Sequence, residues 1–93
     1  MDSTLKQQWL DALRSGEYAQ DYEALYDATT HTYCAIGVLF AIAKMDTTLP
    51  LSMLYNRAEK LVGSHELFGK VMNLNDMRHY SFPVIADWIE KNM

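Results

Sequence analysis

The chain has 93 residues, 49% of them hydrophobic, 12% aromatic and 22% charged, with four Gly and two Pro. That length holds one core, so a single domain over residues 1–93 is expected, and the composition excludes disordered and fibrous classes. The net charge of −4 and a pI of about 5.1 argue against direct nucleic-acid binding, which needs a basic face to neutralise phosphates.

The first predicted element is a helix over about residues 3–15. Asp2 or Ser3 caps it, Leu5, Trp9, Ala12 and Leu13 form its apolar stripe, and Gly16 suits the left-handed position just past its end. The stretch from Glu17 to Thr32 fits two patterns. Tyr18, Tyr22, Leu25 and Tyr26 have helical spacing, whereas Tyr22, Ala24 and Tyr26 alternate as in a strand. Thr29, Thr30, Thr32 and Tyr33 favour extended structure and Asp27 favours a turn, so a short hairpin pairing about 22–26 with 31–35 is the preferred reading, with a second amphipathic helix as the alternative.

Ala35 to Met45 is apolar on every side, as expected of a central helix wrapped by the others, and Gly37 within it points to close backbone approach by a neighbour. A break at Asp46–Pro50 precedes a third helix, with Ser52 as its cap, Leu54, Ala58, Leu61 and Val62 as its stripe and Gly63 as its stop. Ser64 to Lys70 carries no decisive pattern. Val71 to Asp76 reads as a brief extended piece before a turn at Asn75-Asp76. Ser81 then caps a last helix with Pro83 in its first turn and Phe82, Ile85, Ala86 and Ile89 on its buried side. Together these give a mainly α bundle of about four helices around a central apolar one, with a possible short hairpin at about 22–35 that would make it α+β.

Several motifs resemble those of a family of small uncharacterised proteins found mostly in phages and prophages. They are Trp9, Ala12-Leu13-Arg14-Ser15-Gly16, Tyr18 and Gln20, then Cys34 to Leu39, and finally Leu74-Asn75-Asp76, Ser81-Phe82 and Ile85 to Glu90. The sequence departs from the family pattern at Asp21, Tyr26, Ala35, Phe40 and Ala41, which removes a cation and two thiols and makes the 20–27 segment acidic. The resemblance implies a phage or prophage origin and carries no agreed chemistry, and no phosphate or metal role transfers with it.

Candidate chemistry is sparse. His31 and Cys34 lie three apart, close enough to suggest an activated thiol, yet no third group accompanies them and Cys34 opens an apolar run. His31, His65 and His79 are scattered and there is one Cys, so neither a metal site nor an internal disulfide is expected. No phosphate loop or nucleophile elbow is present, and the expectation is a non-enzymatic protein without a cofactor. The apolar run from Tyr33 to Ala43 is too short to span a bilayer, and no secretory pattern opens the chain, so no membrane association and a cytoplasmic setting, inside the host cell, are expected.

What remains is an uneven charge distribution. Residues 1–46 carry the whole net charge of −4, and Glu17, Asp21, Glu23 and Asp27 follow one another with no base between them. Tyr18, Tyr22 and Tyr26 are interleaved, and tyrosine is enriched at interface hot spots because it offers rigid amphipathic area at small entropic cost. The leading expectation is therefore an accessory protein that binds and inhibits a host protein with a basic surface, in defence or nucleic-acid-handling machinery, through Glu17, Tyr18, Asp21, Tyr22, Glu23, Tyr26 and Asp27. The alternative is a nucleotide or small-ligand binder that gathers cations such as Arg14, Arg57, Lys60 and Arg78.

Overall fold

A computed structural model describes residues 1–93 and contains five helices and one small three-stranded sheet. Helix α1 (Ser3–Ser15) starts at Asp2, whose carboxylate accepts a hydrogen bond from the Leu5 N–H at 2.8 Å, and stops at Gly16 with φ 77°. Its stripe buries Trp9, Leu10 and Leu13. The Trp9 indole N–H donates to the Ala35 carbonyl at 2.9 Å, which fixes α1 to the start of the next helix.

The hairpin is present, shorter than expected and with a further partner. Strands β2 (Tyr26–Asp27) and β3 (Thr32–Tyr33) pair antiparallel, with Tyr26 opposite Tyr33 and Asp27 opposite Thr32. A further strand, β1 (Ala19–Gln20), lies parallel to β3 on its other side, giving the order β1-β3-β2. Residues 22–25, 31 and 34–35, expected in the pairing, lie outside the strands. The Asp21 turn takes residues 22–24 out of the strand, while the Leu25 carbonyl still accepts from the Cys34 N–H at 3.2 Å, carrying the ladder one bond past the strand ends.

Helix α2 (Ala35–Ile42) is the central element, with Ala35 to Phe40 all buried. Of these, Ile36, Val38, Leu39 and Phe40 contribute about 1.5–3 kcal/mol each when fully removed from water. Gly37 is required there, because a Cβ at this position would stand 1.7 Å from the Leu25 carbonyl oxygen. The expected close neighbour is thus the backbone of the segment between β1 and β2.

Helix α3 (Leu51–Val62) buries Leu54, Ala58 and Val62 and ends at Gly63 with φ 88°. Its N-cap is Pro50, not Ser52, which lies inside the first turn; the fixed φ of proline starts the helix without a side-chain cap bond. The largest correction follows. Residues 65–76 form helix α4 (His65–Asp76), where an extended piece and a turn were expected at 71–76. Ser64 caps it by accepting from the Leu67 N–H at 3.2 Å, Glu66 lies in its first turn, and Phe68, Val71, Leu74 and Asn75 face inward. Helix α5 (Phe82–Asn92) buries Phe82, Ile85, Ala86 and Ile89 as its spacing predicts. Ser81 occupies its N-cap position but makes no capping bond.

Helix α1 packs chiefly on α5 and α2, α4 bridges α2, α3 and α5, and the sheet sits over the N-terminal end of α2. Arg14 reaches across from α1 to Asp87 at 2.8 Å and Glu90 at 2.6 Å on α5. No helix is long and apolar enough to cross a membrane.

Candidate functional site

The acidic segment is built around the sheet, and its residues divide by role. Asp21 spends both carboxylate oxygens internally: one accepts from the Glu23 and Ala24 N–H groups at 2.9 and 3.1 Å, the other from the Thr32 hydroxyl at 2.8 Å. Those backbone donors, and then the hydroxyl, hold its carboxyl below the usual value of 3.8. Asp27 accepts from the Thr29 N–H at 2.9 Å and so shapes the β2–β3 turn. Glu17 and Glu23 are exposed, and their carboxylates accept no hydrogen bond. None of the four acids of this segment forms an ion pair, since the paired carboxylates are Asp87, Glu90, Glu59 and Glu66.

The tyrosines divide too. Tyr18 and Tyr26 are half-buried and lean on Tyr33, the first edge-on with centroids 5.1 Å apart and the second tilted at 4.7 Å. Burial, followed by the two neighbouring phenols, pushes the Tyr33 hydroxyl up from its ordinary value of 10.0. The Tyr26 hydroxyl lies 3.3 Å from His31 Nδ1. Tyr22 projects outward, 38% exposed, and its ring rests 4.4 Å from that of His79. Beside the cluster is a cleft of about 370 Å³ in which Glu23, Leu25 and Tyr26 face Leu49, Leu51 and Tyr55.

The segment is anchored by a residue that the sequence reading placed in a turn. Asn75, from α4, is fully buried. Its Oδ1 accepts from the Gln20 side-chain amide at 2.9 Å and from the Ala35 N–H at 3.1 Å, while its Nδ2 donates to the Asp21 carbonyl at 2.8 Å and to Asp76 at 2.7 Å. One amide thereby joins β1, the start of α2 and the end of α4. Such fully satisfied buried amides fix geometry strongly, because every alternative arrangement leaves a polar group dry. Asp76 lies alongside, its carboxyl raised above 3.8 by burial, opposed by the Asn75 bond, and raised further by the charges of Asp21 and Glu23.

No hydrogen bond joins Cys34 to His31. Cys34 is the buried N-cap of α2, its Sγ accepting from the Gly37 N–H at 3.4 Å, and burial drives its thiol up to about 11. His31 is exposed in a left-handed conformation with φ 54°. No three or more His, Cys, Asp and Glu side chains are gathered so as to hold a metal ion.

Residues 1–48 match the family model described as Domain of unknown function (DUF8296), just over half of the chain. The chain belongs to this family. The region matched by DUF8296 contains α1, the whole sheet and α2, and therefore every acid and tyrosine of the 17–33 segment, whereas Asn75 lies outside it. No curated protein and no solved structure matches the chain.

Proposed function

We propose that the protein is a non-catalytic binding module whose acidic, tyrosine-bearing face at residues 17–27 docks onto a positively charged protein and blocks it. In the phage or prophage setting implied by the motif resemblance, that partner is a host protein of defence or nucleic-acid-handling machinery, met in the host cytoplasm. The observation that carries this reading is the absence of any ion pair at Glu17, Asp21, Glu23 and Asp27, while Arg14 and Lys70 pair with carboxylates on α4 and α5. The field of this face is left uncompensated within the molecule, as expected of a surface that steers association with a basic partner. Tyr22 adds an exposed ring, and the neighbouring cleft of about 370 Å³ adds apolar area at the edge of the charges.

The roles of the side chains direct the test. Reversing Asp21 or Asp27 would disturb turns as well as charge, whereas Glu17 and Glu23 hold nothing in place. The protein and its Glu17→Lys/Glu23→Lys variant should have the same thermal midpoint. Host proteins retained by the first at low salt should be lost by the second, with association slowed about tenfold and its salt dependence flattened. Equal retention of the same proteins by both would reject the docking face.

A further inference from the structure

Helices α4 and α5 and the turn between them enclose an open groove of about 610 Å³, within the range of about 300–1,000 Å³ common for small-molecule sites. Its walls include Glu66, Gly69, Lys70 and Asn73 of α4, Arg78 and Tyr80 of the turn, and Trp88 of α5, with the Glu66 carboxylate held by Lys70. None of these belongs to the acidic face.

Gly69 is the unusual member. Gly16 and Gly63 have positive φ, and Gly37 meets the Leu25 carbonyl, but a Cβ added at Gly69 would meet no atom within 4 Å. Glycine in the interior of an exposed helix costs about 0.5–1 kcal/mol relative to alanine. Nothing within the protein requires it here, and what it does provide is bare backbone on the groove floor. The side chains around that floor are complementary to one kind of ligand. Lys70 is tied to Glu66 at 3.1 Å, so Arg78 is the groove's cation without a carboxylate partner. Trp88 is half-buried and offers an indole wall, and Tyr80 is 38% exposed. Asn92 donates its Nδ2 to the Trp88 carbonyl at 2.8 Å, leaving its Oδ1 as an acceptor, and the Asn73 amide makes no bond.

We infer that the α4–α5 groove binds a nucleoside monophosphate, the base lying along Trp88 over the bare backbone of Gly69 and the phosphate meeting Arg78. Base–aromatic stacking and a guanidinium–phosphate pair are the favourable contacts, and the Asn73 amide and the Asn92 Oδ1 suit the polar edge of a base.

The chain has two tryptophans, so a ¹⁵N-labelled sample gives two indole N–H resonances. Titration with adenosine or guanosine monophosphate should shift the Trp88 signal saturably and leave that of Trp9, buried and bonded to Ala35, in place. Arg78→Glu, or replacing the nucleotide by its nucleoside, should weaken the response at least about tenfold. Gly69→Gln should abolish it while raising the thermal midpoint, because glutamine is the better helix former, so loss of binding there is not loss of fold. The inference is overturned by no saturable shift with either nucleotide up to about 10 mM. An unchanged response in Gly69→Gln, or an equal response to inorganic phosphate alone, overturns it too. Because this groove shares no residue with the acidic face, its failure leaves the docking proposal standing, and the reverse.

Discussion

Removing the Asn75 side chain takes the partner from the Ala35 N–H and the Asp21 carbonyl, and one of two acceptors from the Gln20 amide, which keeps its bond to the Tyr80 carbonyl. Two of these groups are backbone, and the Ala35 N–H is buried, so Asn75→Ala should cost about 3 kcal/mol, read as a lowered urea midpoint. Cys34 permits an independent check at the same scale. Thiolate is the reactive form, and a thiol at about 11 instead of 9.0 holds roughly a hundredfold less of it at pH 8. A disulfide reagent should therefore label the native protein at least about a hundredfold more slowly than the urea-unfolded chain. Fast native labelling would mean that the thiol is not buried at the start of α2. At this scale the sequence was a mixed guide. Cys34 heading an apolar run already read as a packed thiol, but the anchoring amide did not show, because its partners come from as many as 55 residues away and an Asn before an Asp is ordinary turn composition.

Between elements, the tightest contact is that of α2 with the backbone at Leu25. A Gly37→Ala methyl would stand 1.7 Å from a carbonyl oxygen, and backbone cannot swing aside as a side chain can. The substitution should destabilise the fold by about 3 kcal/mol or more, and hydrogen exchange should speed up first at Cys34, whose N–H is bonded to that same carbonyl. Elements with strong periodicity and punctuation were legible: α1 between Asp2 and Gly16, the apolar α2, and α5 behind Pro83. Helix α4 was not, for two physical reasons. Gly69 interrupts it without ending it, and the inward position at 75 is filled by a polar residue, so the stripe of Phe68, Val71 and Leu74 looked incomplete. The sheet was legible only in part. Two-residue strands are too short for a period-two pattern, and the parallel pairing of Ala19–Gln20 with Thr32–Tyr33 leaves no local mark. For the candidate site, the run of acids and tyrosines was plain, but which acids stay free was decided by turns: Asp21 and Asp27 are engaged, and Glu17 and Glu23 are not.

For the molecule as a whole, two carboxylates respond to acid in opposite directions. Hydrogen bonds lower the Asp21 carboxyl, so its ionised form stabilises the fold above its ordinary value of 3.8, and that contribution is lost as pH falls through the lowered folded value. Burial raises Asp76, so its stabilising share is complete below 3.8 and is lost as pH rises through the raised folded value. At pH 7, Asp21→Asn should thus be less stable than the parent and Asp76→Asn more stable. Urea midpoints followed from pH 7 down to about pH 2 should show both differences shrinking. A stability gap at Asp76→Asn that widened in acid would contradict the burial of that carboxyl.

The pairing of α1 with α5 has a consequence for the protein during its synthesis. Helix α1 leaves the ribosome well before α5, which supplies its principal partner, including the carboxylates that hold Arg14. Leu13 and its neighbours stay partly uncovered until α5 has emerged, so the core closes only then and the nascent chain depends on solubility or on chaperones in the interval.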